Sequence, residues 1–409
     1  MQNAEFWRFC GLGIYRSPDD LAKKGEKKML KFHDGRFKIM LVGDPHERTK
    51  ENDKGADDKH ADYLALQYAA IESEKPDLVI LMGDNSTGDN ETEFGDTLLR
   101  ITKPYADTNT PFSFVLGNHD LECAVDSMKR QYEIYRTLPG CILPDENEIN
   151  EFGDYTVPIY GKDEKEPAFV IRHFYSGNHA DKIYGSHYAF VGKEQLDAYK
   201  TDSEKLKEKY GRVIPAIAVQ HIPVPEVYRL CEEKGPSVML FDGVTGTDGK
   251  KGRFFNLNRK TGVEGYMGEA PCTPDHNGGE FEAWKQAGDV FAAFFGHDHM
   301  NDFVGMVDGI ILGQCKTASF YAYGDGLMQG VRIIELNENN IKCIKTRMVR
   351  YRELIGSNCK SLHGSIKILR DRTSVKLETG AKAAGVAAAL SSPVILAKII
   401  KYSMKKRRG

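Results

Sequence analysis

The stretch DVFAAFFGHDH (residues 289–299) is an apolar run, a glycine, and then two histidines two positions apart. In an extended strand, residues i and i+2 point to the same side. DVFAAFF reads as a short buried strand stopped by Gly296. His297 and His299 therefore leave its end together and face one point. Two loop histidines bonded to nearby backbone would satisfy the same letters, and short motifs carry a real false-positive rate. What decides is whether ligand-type residues end other strands too.

They do. RFKIMLVGDPHE (36–47) predicts a strand stopping at Gly43, and a helix follows across 56–74, with Ala61, Leu64, Tyr68 and Ile71 at helical spacing. LVILMGDN (78–85), PFSFVLGNHD (111–120) and PAIAVQH (215–221) predict further buried strands. Near-continuous Val/Ile/Leu runs alternating with amphipathic helices indicate a parallel sheet covered on both faces. Segments 168–175, 186–191, 309–313, 330–336 and 341–348 also read as strands. They lack long helices between them, which predicts a mixed second sheet. Residues 241–279 are rich in Gly, Asp, Lys and Asn and read as one long loop.

The first strand ends in Asp44-Pro45-His46, the second in Gly83-Asp84-Asn85 and the third in Gly117-Asn118-His119-Asp120. The fourth ends in His221 and the fifth in Gly296-His297-Asp298-His299. Ligands of open parallel sheets bind outside the carboxyl ends of the strands, so these residues have a structural reason to converge. The set is His, Asp and Asn without thiolate, which suits iron, zinc or manganese. The preceding glycines are expected to permit sharp turns and close approach of backbone to a bound anion.

The ordered blocks DPH, GDN, GNHD, the His of VQHIPVPE and GHDH resemble the calcineurin-like metallophosphoesterase superfamily over roughly residues 36–350. The resemblance implies an α/β fold, a four-layer sandwich of two mixed β-sheets flanked by α-helices, with a dinuclear metal site at the strand ends. It implies that Asp44, His46 and His299 hold one metal, that Asn118, His221 and His297 hold the other, and that Asp84 bridges them. His119 would be the catalytic, non-ligand histidine, oriented by Asp120. HIPVPE, GHDHMNDF and the YAYG of 321–324 are similar to a small purple-acid-phosphatase-like subgroup. Two departures stand out. Thr87 occupies the position of the purple acid phosphatase tyrosine ligand, three residues after the bridging Asp, so the oxidised site should lack the tyrosinate colour. HFYSG (173–177) replaces an LDSG-like segment.

The expected chemistry is hydrolysis of phosphoesters, phosphomonoesters first, by a hydroxide bridging two metal ions about 3.5–4 Å apart. Divalent or trivalent Fe, Mn or Zn would serve. Asp84 offsets part of the doubled positive charge, and Asn118 adds a neutral oxygen. His119 can protonate the departing alkoxide; its blander role is a supporting hydrogen bond. Glu47, Glu226, Asp298, Asn301 and Asp302 are expected behind the ligands, as acceptors for the outer histidine nitrogens. His179 is a candidate for touching phosphate, and His60 reads as solvated. A phosphodiesterase acting on cyclic nucleotides or nucleic acid is the nearest rival. A non-catalytic, metal-stabilised binding module is another.

The 409 residues, 41% hydrophobic and 28% charged, are ordinary for a globular protein. Lys+Arg 56 against Asp+Glu 59 leaves a net charge of −3, with no strong signal for nucleic acid. A small phosphoester is the expected partner. MQNAEFWRFCGLGIYRSPDD does not resemble a secretory signal, and the scattered cysteines form no CxxC, so a cytoplasmic setting is expected. CTPDH (272–276) offers half a zinc pattern without a second half and reads as a loop. The organisation predicted is a leader over 1–35, the catalytic domain over 36–350, an extension over 351–378 and a tail over 379–409. Within the tail an uncharged run, 383–397, contains Pro393 and precedes a KKRR cluster. It is short for a membrane span. Residues 383–409 suit peripheral contact with an anionic membrane; a helix docked on the core, with a solvated basic end, is the alternative.

Overall fold

The computed structural model describes residues 29–361 apart from 50–52, 54, 181–184 and 241–242. The tail and the extension beyond residue 361 lie outside the described residues. In chain order the main elements are β1 (Arg36–Val42), α1 (Ala56–Glu74), β2 (Leu78–Met82), α2 (Glu91–Asp107), β3 (Phe112–Val115) and α3 (Met128–Thr137). Next come β4 (Tyr155–Tyr160), β5 (Pro167–His173), α4 (Lys193–Tyr210), β6 (Ala216–Gln220), β7 (Cys231–Lys234), β8 (Val244–Thr245) and β9 (Phe254–Leu257). The chain continues through α5 (Glu280–Ala287), β10 (Val290–Phe295), β11 (Val304–Val307), β12 (Ile310–Gln314), β13 (Gly330–Asn337), β14 (Lys345–Arg350) and α6 (Tyr351–Leu354).

Two large mixed sheets result, ordered β14-β13-β1-β2-β3 and β11-β12-β10-β6-β5-β4. The parallel neighbours β1, β2 and β3 stand in one, and β6 and β10 in the other. Strand β6 shows why the layers stack as they do. Ile217 and Val219 face the core shared with Ile39, Leu41 and Ile80 of the first sheet. Ala216 and Ala218 face the other way, toward Leu196 and Tyr199 of α4 and Trp284 of α5. Period-two alternation thus presents one face of the strand to a sheet and the other to helices. Register keeps the strand ends level: Val42 lies opposite Leu81, Met82 opposite Val115, and Gln220 opposite Phe295.

The packed chain begins ahead of β1. Leu30 and Phe32 are buried, and the Phe32 ring lies on Phe37 and Phe169. At the other end Tyr351 donates to Asp62 of α1, which also accepts from the Lys360 amide at 2.8 Å. Three expectations need correcting. The five ligand-bearing strands do not share one parallel sheet: β1, β2 and β3 stand in one mixed sheet, and β6 and β10 in the other. Residues 186–191 form no strand; Tyr188 makes one isolated bridge to His179. The stretch 241–279 is not structureless either. Strand β9 pairs with β7 and β8 in a small third sheet, burying Phe255 and Leu257 of FFNL. Among the described residues no helix is long and apolar enough to cross a membrane.

Candidate metal centre

All seven candidate ligands come together at the carboxyl ends of β1, β2, β3, β6 and β10, where the two sheets meet. Two clusters form, Asp44 with His46 and His299, and Asp84 with His221 and His297, all buried. Asn118 joins the second cluster, its Oδ1 lying 3.0 Å from His221 Nε2. Asp84 lies between the halves: its Oδ2 is 3.6 Å from His46 Nε2 and 3.3 Å from His221 Nε2. Its other oxygen accepts from the His119 amide at 2.9 Å. Asp44 Oδ1 accepts from the His297 amide at 3.1 Å, tying one sheet to the other.

The backbone is bent to achieve this. Asp44, His46, Asp84 and His297 have φ of 46°, 47°, 50° and 69°, a left-handed conformation that costs a non-glycine residue on the order of 1 kcal/mol or more. Such costs gather where function fixes a side chain's direction. The glycines have a narrower task than expected. Of the four preceding Asp44, Asp84, Asn118 and His297, only Gly83 has positive φ. At Gly117 a Cβ would stand 2.2 Å from Asp84 Oδ1, so the missing side chain makes room for a ligand.

Hydrogen bonding sets the histidine tautomers. His221 Nδ1 donates to Met82 O at 2.9 Å and His299 Nδ1 to Tyr323 O at 2.9 Å. In the neutral ring each lone pair then falls on Nε2, facing its cluster. Burial drives His46 down to about 3 and His299 down to about 4, holding both as neutral imidazoles. Burial also opposes charge on His221, but Asp84 and Asp44 overrule it and hold that ring up to about 10. Burial raises the Asp84 carboxyl while His221 and His46 pull it well below the usual range. The residues fit metal ions. His46 Nε2 lies 3.2 Å from His299 Nε2, and His297 Nδ1 lies 3.2 Å from His221 Nε2. Asp44 Oδ2 is buried without a hydrogen-bond partner. Cations answer both features, and at His221 a cation would take the place of the proton.

Asp120 does not orient His119. Its carboxylate accepts from the amides of Asn85, Ser86 and Gly117 at 2.8, 3.3 and 2.7 Å, fastening the ends of β2 and β3 together. Burial and the nearby Asp84 push it up to about 7. His119 Nδ1 lies 2.6 Å from Glu122 Oε2 instead. The residues expected behind the ligands also serve elsewhere. Glu47 accepts from Arg100 and Tyr321, and Asp298 from the Cys272 amide and Asn301. Asn301 accepts from the Gly268 amide, and Glu226 from Asn277. Asp302 pairs with Lys316 and Arg350. Backbone carbonyls take the outer nitrogens of His221 and His299. His60 is not solvated; its Nδ1 lies 3.2 Å from Glu47. His173 is buried beneath the sheet against Ser113 and Tyr155, whereas His179 stands at the rim, 3.7 Å from Glu122.

Two tyrosines escaped the sequence analysis. Tyr188 meets His297 edge-on at 4.5 Å, and Tyr323 stacks on His299 at 4.2 Å. Tyr323 donates to Glu269 at 2.7 Å, and its loop is fastened by Asp325, which accepts from buried Lys316. The YAYG block was a signal for the second; nothing local marked the first.

The calcineurin-like phosphoesterase family model matches residues 37–301, a span that holds every candidate ligand. The chain belongs to the calcineurin-like phosphoesterase family. Its family chemistry is metal-dependent phosphoester hydrolysis, typically with two metal ions. Among relatives, the Arabidopsis thaliana protein named probable inactive purple acid phosphatase 14 is 28% identical over 338 residues, covering 76% of this chain and 77% of its own length. Phosphatase DCR2 of Saccharomyces cerevisiae is 26% identical over 352 residues, 78% of this chain and 54% of that protein. Among solved structures, a dimetal phosphatase from Danio rerio aligns with 77% of this chain and 99% of its own, at 11% identity and a TM-score of 0.44.

Proposed function

We propose that this calcineurin-like phosphoesterase is catalytically active and hydrolyses small phosphomonoesters. The observation that carries the reading is the placement of Asp84 Oδ2, within 3.6 Å of His46 and 3.3 Å of His221, in a set that holds all seven expected Asp, Asn and His ligands. Asp44, His46 and His299 would hold one ion, Asn118, His221 and His297 the other, with Asp84 shared. Nitrogen and oxygen donors without thiolate favour iron, zinc or manganese. When bound, the ions supply positive charge to the phosphoryl oxygens and lower the pKa of a water. The two carboxylates offset part of that charge, and Asn118 adds a donor without offsetting more. Tyr188 and Tyr323 shield the flanks of His297 and His299 from water. His119, at the mouth beside His46, delivers a proton to the leaving oxygen.

The test is the metal-stripped protein reloaded separately with iron, zinc and manganese, assayed side by side on aryl phosphate mono- and diesters. Metal-dependent turnover with monoesters ahead is expected. Diesters well ahead would replace this reading with a phosphodiesterase acting on cyclic nucleotides or nucleic acid. The word inactive in the name of the Arabidopsis relative favours a second reading, a metal-stabilised module without catalysis; two bound metals with no turnover of any ester would establish it. His119→Ala should lower kcat by roughly 10²–10⁴, the usual range for a general acid, while both metals stay bound. We further propose a cytoplasmic enzyme that touches anionic membrane through residues 383–409, which lie outside the described residues.

A further inference from the structure

We propose that Glu122 is the positioning residue for His119, fixing which imidazole nitrogen faces the reacting ester. The inference rests on the reading of His119 as proton donor. The segment His119-Asp120-Leu121-Glu122 closes a 3₁₀ turn, with the Glu122 amide donating to His119 O at 3.1 Å. In that geometry residues i and i+3 eclipse, which brings the Glu122 carboxylate against the His119 ring at 2.6 Å. The turn itself is fixed. Asp120 spends its carboxylate on three backbone amides, and the His119 amide is tied to Asp84. Glu122 is held from its other side as well. Its Oε1 faces Asn178 Nδ2 at 3.4 Å and His179 Nε2 at 3.7 Å, on the segment across the mouth.

A carboxylate only accepts, so the Nδ1 proton stays with Glu122 and the proton to be delivered sits on Nε2. As a water oxygen bonds to phosphorus and the phosphorus–oxygen ester bond breaks, the doubly protonated ring passes its Nε2 proton to the leaving oxygen. The ring is left as the neutral Nδ1–H tautomer, still bonded to Glu122. Both side chains are close to half exposed, so the pair adds little to stability. Its effect is orientation.

The experiment uses the full-length, zinc-loaded protein and its Glu122→Ala, Glu122→Gln and His119→Ala variants, with aryl phosphates of graded leaving-group basicity. Glu122→Ala should lower kcat about ten- to a hundredfold on basic leaving groups, the value of a hydrogen bond to a charged group. The loss should shrink as the leaving group becomes more acidic, with KM and bound metal unchanged. Glu122→Gln, whose amide oxygen still accepts from Nδ1–H, should recover most of it. In the His119→Ala background Glu122→Ala should cost nothing more. Independently of turnover, nitrogen NMR of the histidine rings, taken with His119 in its neutral form, should show the Nδ1–H tautomer, lost in Glu122→Ala. An Nε2–H tautomer in the unaltered protein, or additive losses in the double variant, would overturn the proposal. If His119→Ala shows no leaving-group-dependent loss while the tautomer still depends on Glu122, the hold on the ring stands and the donor reading falls.

Discussion

Asp84 serves both clusters with one carboxylate. One oxygen faces His46 and His221, the other fixes the His119 amide, so a single truncation removes charge from both halves and loosens the mouth. Asp84→Ala is expected to abolish turnover and to lower metal content by half or more, measured by elemental analysis. Retained activity with two metals per chain would show the clusters to be wrongly assigned. Glu280 makes a different point about buried carboxyls. Burial raises it from the ordinary 4.5 to about 8, and Oε1 has no hydrogen-bond partner. Between those two pH values the folded chain keeps a proton that the unfolded chain has lost. Stability conferred by this group is therefore fully present below about pH 4.5 and falls as pH rises toward 8, by up to about 1.4 kcal/mol per pH unit. Denaturant midpoints across that window should decline less steeply in Glu280→Gln than in the parent; equal slopes would place the group's ionisation elsewhere.

Strand ends carry the site because their registers are level and their final residues have no side chain in the way. A Cβ at Gly117 would meet Asp84 Oδ1 at 2.2 Å and the Asp84 amide at 2.4 Å, and neither can retreat, since the backbone there is held by Asp120. Gly117→Ala should leave the far-ultraviolet circular dichroism unchanged, yet cut activity at least tenfold and weaken metal binding, read by titration with zinc. Normal metal affinity in that variant would mean that the ends of β2 and β3 are looser than this packing implies. Most of these elements are legible locally. Helix α1 spans the expected 56–74, although its buried stripe is Tyr63, Leu66, Gln67 and Ala70 with Ile71 rather than Ala61, Leu64 and Tyr68, and β1, β2 and β10 each stop at the residue before a glycine. SHYAFV misled because a strand needs a partner edge as well as suitable residues. FFNL was overlooked because its alternation is short and set in polar chain, although that alternation buries Phe255 and Leu257.

The two sheets meet at their ligand ends, and residues 351–361 close over α1 through Asp62, so the folded body is covered on that side by its own residues. We propose that the tail works separately, its apolar run and Lys398, Lys401, Lys405, Lys406, Arg407 and Arg408 meeting an anionic surface at on the order of 1 kcal/mol per basic residue. Deleting 381–409 should preserve catalysis on a soluble ester and abolish co-sedimentation with anionic vesicles at low salt. A truncation that unfolds the body would make the tail a docked helix instead. The order of residues determined the five ligand-bearing strands, the metal-type residues that end them and the family, because periodicity and ligand chemistry are written within a few positions of each other. It could not determine which group holds which. Asp120 and Glu122 are both acids just after His119, and only the turn that packs Asp120 inward against Asn85, Ser86 and Gly117 gives the ring to Glu122. Likewise the outer nitrogens of His221 and His299 find carbonyls of Met82 and Tyr323, partners set by how two sheets and a distant loop meet in space, which no local pattern encodes.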